Sequence, residues 1–365
     1  MLKYFNVYRI ILKTFGFKAR PLATFWLIQL RHAISAATRG LDHLLYPGFR
    51  GRPLDRPVFI IGNPRSGTTF VHRFLLTTEQ FCAFSLFEML LPAITARKIF
   101  GGLVDRFAPV SPARYHSSDA HETSLRDVET DDVLEFFHFI DGGFLWSYFL
   151  AWEDVWGSEL CQRYFDLERQ TPRQQARLFR YLEACWRRNL HHKNRDRIIA
   201  KSSIFTMRVP TLLQRYPDCK LIYIARDPVS TIPSGLSLLT GVLEQSYDIF
   251  NATREEDRAR YLENLYQASC QVYRAFDEVR DSIPERNLRI VTYPRLMTDL
   301  ESVMQELVEF LEIEPEPGFA RRVREQAEKQ RSRESGHEYS LEKFGLDEER
   351  IRKDLAFVYD KYDVG

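Results

Sequence analysis

The sequence predicts an α/β fold in which a central parallel sheet is flanked by helices, and three observations predict it. Four short apolar runs, Val58 to Ile61, Arg197 to Ala200, Leu221 to Ala225 and Leu288 to Thr292, are each followed by a helical pattern. Strands that alternate with helices pair in parallel, because a parallel pair needs a crossover connection. A residue suited to ligand chemistry follows each run: Arg65, Lys201, Arg226 and Tyr293. In a parallel sheet all C-terminal strand ends lie on one edge, and ligands bind outside that edge. The four positions therefore converge by topology. Finally, 365 residues at 44% hydrophobic suffice for one large core, and no long Gly/Ser or Pro-rich linker divides the chain.

Charge is unevenly placed. The formal net charge is +1, which gives no global argument for nucleic acid as a partner. Residues 1–50 hold eight bases against Asp42 alone, a net of +7, which leaves −6 for residues 51–365. The bases of 1–50 interleave with Phe5, Tyr8, Ile11, Leu12, Phe15, Phe25, Trp26, Leu27 and Leu30, as in one or two amphipathic helices. Such a segment either lies on an anionic membrane surface or packs its apolar face on the rest of the chain. Leu22 to Leu30, the longest strongly apolar stretch, falls short of the ~20 residues that a spanning helix needs. Five scattered cysteines without a CxxC pair, and no signal peptide, indicate neither a zinc site nor a disulfide framework. A reducing, cytoplasmic compartment is expected, with peripheral contact to the inner face of the membrane as an extension of it.

The first strand runs into Gly62-Asn63-Pro64-Arg65-Ser66-Gly67-Thr68-Thr69, and Phe70, Val71, Phe74 and Leu75 then recur at helical spacing. A tight turn into a helix N-terminus presents unpaired N–H groups and the positive end of the helix dipole to a phosphate-like anion. Arg65 adds a planar fork of donors, and the hydroxyls of Ser66, Thr68 and Thr69 can cap the helix or bond the anion. A nucleotide triphosphatase loop would carry Gly-Lys-Ser or Gly-Lys-Thr, and no Lys occupies this loop.

Beyond the cradle helix, Phe84 to Pro92 contains Glu88, and residues 93–157 read as an insertion. Its first half is rich in His and acid, including His116, His121 and Glu129, without the spacing of a metal site; no metal is expected. Its second half, Phe136 to Trp156, is dense in aromatics that either wall a pocket for an apolar acceptor or pack as core. Cys161 to His192 reads as a long helical region and Glu255 to Arg280 as another. The segment 319–365 is charged and helical in pattern, with Arg331 and Arg333 ahead of His337-Glu338-Tyr339-Ser340-Leu341.

Pro64 to Thr69 resembles the 5′-phosphosulfate loop of sulfotransferases that use 3′-phosphoadenosine 5′-phosphosulfate (PAPS), and matches it without a departure. The His-x-Tyr-Ser-Leu ending is similar to the bacterial branch of that family, related to the tyrosylprotein sulfotransferases. The resemblance spans roughly residues 55–345. It implies a P-loop-like three-layer fold and transfer of a sulfuryl group from PAPS to an acceptor hydroxyl, releasing 3′-phosphoadenosine 5′-phosphate (PAP). It implies that Arg226 and Ser234, eight residues apart, hold the 3′-phosphate; that Lys201 contacts the sulfuryl group or bridging oxygen; and that Tyr293 lies near the nucleotide. Relatives often read Tyr-Glu at that last position, and here Pro294 replaces the Glu. Arg331 or Arg333 would belong to a basic loop that closes over the donor. A carboxylate soon after the loop serves related enzymes as general base, which implies Glu88, with His116, His121 and Glu129 as competitors. The acceptor is expected to be a small or lipophilic alcohol. A P-loop-like kinase or triphosphatase, and a catalytically silent membrane-associated nucleotide-binding protein, are the alternatives.

Overall fold

The computed structural model describes residues 2–107, 124–331 and 341–364. His116, His121 and Arg333 lie outside the described residues. The described strands are β1 (Val58–Ile61), β2 (Phe81–Cys82), β3 (Arg197–Lys201), β4 (Lys220–Ala225) and β5 (Leu288–Thr292). The helices before β3 are α1 (Leu2–Phe15), α2 (Arg20–Leu45), α3 (Thr68–Leu76), α4 (Leu86–Leu90), α5 (Ile94–Phe107), α6 (Asp132–Phe139), α7 (Gly143–Tyr148), α8 (Glu159–Phe165) and α9 (Pro172–Lys193). After it come α10 (Val209–Arg215), α11 (Pro228–Tyr247), α12 (Ile249–Ala252), α13 (Glu255–Arg280), α14 (Tyr293–Thr298), α15 (Leu300–Leu311), α16 (Phe319–Arg331), α17 (Glu348–Asp354) and α18 (Ala356–Lys361).

The chain forms two compact units. The sheet unit holds residues 54–83, 195–235 and 268–365, and its strands run parallel in the order β2-β3-β1-β4-β5. The expected α/β class and parallel pairing are observed. The four anticipated strands are joined by a fifth, β2, a two-residue edge strand too short to show a period in sequence. β1 is central, with Ile60 opposite Lys201 on one side and Ile222 on the other. Its four residues are wholly buried, which is why it reads as a continuous apolar run. At the far edge β5 is less covered: Arg289 is exposed, and of its five residues Val291 alone is fully buried.

The helical unit holds residues 1–53, 84–194 and 236–267. Two members of the aromatic run of the insertion are core here: Trp146 and Trp152 are fully buried, and Trp152 stacks on Tyr261 at 4.0 Å, while the other seven aromatics of the run are half-buried. Trp146 Nε1 donates to Asp154 Oδ2 at 2.7 Å, which satisfies the indole N–H. The N-terminal residues do form two helices. Phe15 of α1 stacks on Tyr247 at 4.5 Å. α2 is fixed by Asp42, the only acid of residues 1–50, which is fully buried. Its carboxylate accepts from Ile94 N (3.0 Å), Thr95 N and Oγ1 (both 2.8 Å) and Arg188 Nε (2.8 Å). Asp42 thus places an anion on the N-terminus of α5, where the dipole favours it. The opposite stripe of α2 is bare: Trp26 is 70% and Leu44 78% exposed, with Leu27, Leu30, Leu41 and Leu45 also exposed. Among the described residues no helix is long and apolar enough to cross a membrane.

Candidate active site

The chain leaves β1 through Gly62, whose φ is +129° and whose Cβ, if present, would lie 2.9 Å from the Ile224 carbonyl oxygen. Only glycine fits so close to β4. Its N–H donates to Thr206 Oγ1 at 2.9 Å, and Asn63 Nδ2 donates to the Ser269 carbonyl at 2.8 Å. Ser66 Oγ closes the turn on the Asn63 carbonyl at 2.7 Å. Arg65 adopts φ +72°, which costs a non-glycine residue about 1–3 kcal/mol and persists only where neighbours determine it. Two bonds do so here. Arg226 Nη1 donates to the Arg65 carbonyl at 2.7 Å, and Arg65 Nε donates to Ser234 Oγ at 2.9 Å.

Gly67, at φ +98°, starts α3 without any side-chain cap, and a Cβ there would stand 3.2 Å from the Tyr293 ring. Ser66 is engaged inside the loop, and Thr69 Oγ1 accepts from Lys201 Nζ at 2.8 Å. The N–H groups of the first turn of α3 therefore face outward with the dipole behind them, as an anion cradle requires. Lys201 reaches Thr69 because β3 pairs with β1; it is the last residue of its strand and only 7% exposed. Below it, His72 is fully buried, and Nε2 lies 3.2 Å from the Ile199 carbonyl. Burial first, then the Lys201 charge, push this imidazole down to about 3, so at neutral pH it is uncharged and its Nε2–H is the donor.

On the other side, register between β4 and β5 sets Ala225 against Thr292, so the residues that follow, Arg226 and Tyr293, meet. The guanidinium sits 3.9 Å above the Tyr293 ring centroid. The Arg226 carbonyl accepts from Tyr273 Oη at 3.0 Å. Asp227 holds the start of α11 by accepting from Val229 N and Ser230 Oγ (both 3.0 Å) and from Tyr359 Oη (2.6 Å). Ser234 lies one turn on, 3% exposed, and Pro233 is accommodated within the helix.

Of the residues expected at the site, Arg65, Ser66, Gly67, Thr68, Thr69, Lys201, Arg226, Ser234 and Tyr293 all lie in the sheet unit; the bonds above join the first loop and the start of α3 to the ends of β3 and β4, and Arg226 in turn stacks on Tyr293 at the end of β5. Arg331 is the last residue of α16 in that unit. Thr206, Tyr273 and Tyr359 were not anticipated; they support the site across 144, 47 and 132 residues, and no local pattern encodes such contacts. Asp227 did carry a signal, since an Asp before Pro is a helix-start pattern.

Glu88 belongs to the helical unit. It completes a capping box on α4: Ser85 N donates to Oε2 at 2.8 Å, and Glu88 N donates to Ser85 Oγ. Lys193 Nζ stands 2.9 Å from Oε2, and Arg97 Nη1 stands 3.5 Å from Oε1. Burial raises the carboxyl pKa, but Arg97, Lys193 and the Ser85 N–H together bring it below the usual value. Glu129 lies beside this turn, where Val128 bridges Ser85, and has no ionic partner among the described residues.

A sequence profile described as the sulfotransferase family matches residues 57–317. The ω-hydroxy-β-dihydromenaquinone-9 sulfotransferase Stf3 of Mycobacterium bovis is 23% identical to this chain; the match takes in 70% of the chain and 63% of the relative. The Stf3 of Mycobacterium tuberculosis matches to the same extent. The chain thus spans less than two thirds of the curated relatives it matches. The crystal structure of sulfotransferase STF1 from M. tuberculosis H37Rv is similar with a TM-score of 0.67 at 16% identity, over 97% of this chain and 90% of that one. For STF9 of Mycobacterium avium the TM-score is 0.66 at 16% identity, over 90% and 82%. These two share the fold.

Proposed function

Because the chain belongs to the sulfotransferase family, we propose that it moves a sulfuryl group from PAPS to the hydroxyl of a lipophilic alcohol and releases PAP. The observation that carries this reading is the loop Gly62 to Thr69, which leads into a helix N-terminus without a side-chain cap and contains Arg65, fixed by its bonds to Ser234 and Arg226. In this proposal the N–H groups of α3, with Ser66, Gly67, Thr68 and Thr69, bind the 5′-phosphosulfate. Arg226 and Ser234 bind the 3′-phosphate, for which a guanidinium fork plus a hydroxyl is suited. Tyr293, with Arg226 stacked on it, flanks the nucleotide, and Arg331 or Arg333 contacts it, as the family resemblance implies. Lys201 offsets negative charge as the sulfur–oxygen bond to PAP breaks and the bond to the acceptor oxygen forms. The acceptor proton passes to Glu88. Glu129 is the second reading for that role, favoured because no cation holds it among the described residues.

A lipophilic acceptor is supported by the relative's name, whose substrate is a menaquinone derivative. We also read the bare stripe of α2, with the basic residues around it, as a surface for an anionic membrane from which such an acceptor is taken. Incubation with PAPS and a long-chain alcohol, followed by mass spectrometry, should yield PAP and a sulfate ester. A protein whose melting temperature rises with magnesium-ATP but not with PAP or PAPS would be a kinase or triphosphatase instead. One that binds PAP yet transfers nothing to any alcohol would be a silent binder.

A further inference from the structure

The helical unit contains an open cavity of about 440 Å³ between α2, α6 and α9. This volume lies in the lower part of the range of small-ligand pockets, about 300–1,000 Å³, and exceeds what a bare ion needs. Its lining has no carboxylate and several cations. Arg188 is already neutralised by Asp42. The others are not: among the described residues Arg39 donates only to the Ser35 carbonyl, and Arg177 and Arg180 have no ionic partner. His138 stacks on Tyr181 at 3.8 Å, and Arg177 lies over the Phe139 ring at 4.5 Å. One wall is therefore aromatic and the mouth is cationic. Burial, then the surrounding guanidinium groups and His32, hold His138 down to about 3, so its ring is neutral at neutral pH and serves as part of the aromatic wall.

Three uncompensated guanidinium groups around one cavity cost self-repulsion that an anionic ligand would relieve. The part of the lining that α2 supplies indicates which anion. Arg39, Gly40 and His43 line the cavity, while Leu41, Leu44 and Leu45 of the same two turns are exposed. A ligand with a phosphate head and an apolar tail matches both faces. We propose that this cavity binds the headgroup phosphate of an anionic phospholipid, with the acyl chains lying against the exposed leucines of α2. The inference rests on the reading of that stripe as a membrane surface and adds to it a discrete headgroup site.

The test is sedimentation of the full chain with phosphatidylcholine vesicles with or without phosphatidylglycerol. The exposed pair Arg177→Gln/Arg180→Gln is compared with Arg321→Gln/Arg324→Gln, which removes the same charge from α16. The cavity pair should lower affinity for the anionic vesicles at least about tenfold and the control pair less than about twofold, since only the first pair lines the cavity. Glycerol 1-phosphate should raise the parent's melting temperature and compete with the vesicles. Equal losses in the two pairs would overturn the headgroup site while leaving membrane binding in place. A parent that ignores both kinds of vesicle would overturn the membrane reading and this inference with it. If glycerol 1-phosphate stabilises only the parent while vesicles bind parent and cavity pair alike, the ligand is a soluble phosphate ester and the lipid assignment is wrong.

Discussion

Arg226→Ala separates the role that the structure gives to this guanidinium from the role proposed for it. Its Nη1 bond to the Arg65 carbonyl and its stacking on Tyr293 brace the loop, whatever ligand binds there. A charged hydrogen bond contributes about 1.5–3 kcal/mol and a cation–π contact about 0.5–2 kcal/mol, so loss of the brace should weaken every nucleotide. The proposed contact to the 3′-phosphate matters only for ligands that have one. Truncating one partner of a desolvated charge pair costs about 2–5 kcal/mol, so the preference for PAP over adenosine 5′-phosphate should fall by about 30-fold or more. Isothermal titration of both nucleotides into parent and variant reads that ratio directly. Arg226→Lys keeps the charge but loses the fork and should fall between them. If both nucleotides weaken equally and the ratio stands, Arg226 acts on the loop alone and the 3′-phosphate is read elsewhere.

Asp42→Asn should destabilise the helical unit by about 3–5 kcal/mol, because buried Arg188 would lose its counter-charge. All five tryptophans lie in that unit, so urea unfolding followed by tryptophan fluorescence measures it alone, and a loss below about 1 kcal/mol would show that Asp42 is not its anchor. For His72 the unfolded chain takes up a proton near 6.5 and the folded one only near 3, so stability is complete above 6.5 and falls as pH drops towards 3. The slope from this group is about 1.4 kcal/mol per pH unit. His72→Gln, which can keep the bond to the Ile199 carbonyl, should flatten the acid limb of the stability curve, and an unchanged limb would refute the assignment. Glu88→Gln should keep PAP affinity and lose about 10²–10⁴ in turnover while Glu129→Gln loses little; the reverse pattern in folded variants would move the base to Glu129.

The parts of the fold that were readable from sequence are those where burial leaves a local trace. β1 and β4 are buried on both faces and spell uninterrupted apolar runs, and the loop after β1 is contiguous in the chain. β2 leaves no trace because two residues carry no period. The division into two units is equally silent. The boundaries at residues 235/236 and 267/268 fall inside α11 and α13, so the helical pattern runs through them without a linker or a change in composition. Convergence of Arg65, Lys201, Arg226 and Tyr293 followed from parallel topology, but their bonds depend on register and on residues such as Thr206 and Tyr273 that arrive from far along the chain. Glu88 is a different case: Ser85 and Glu88 stand in the Ser-x-x-Glu spacing of a capping box, a pattern visible in sequence that ties the carboxylate to a helix end.

That tie bears on whether Glu88 can serve as a base. A carboxylate pulled below its usual pKa by Arg97 and Lys193 is ionised at any physiological pH, but its affinity for a proton is reduced. For a reaction in which the nucleophile must be strongly activated, such a base would be poor. If sulfuryl transfer resembles phosphoryl transfer, with a loose transition state in which the bond to the leaving group is largely broken before the new one forms, little activation is needed. The acceptor proton then leaves late, and a fixed, weakly basic oxygen is enough. Under that chemistry the capping box and the two cations orient the carboxylate, while most of the rate comes from holding donor and acceptor in line and from the charge of Lys201. Turnover with Glu88 as base should then be flat from about pH 6 to 8, since the carboxylate stays ionised throughout, whereas a histidine base would switch turnover on near its ordinary pKa of about 6.5.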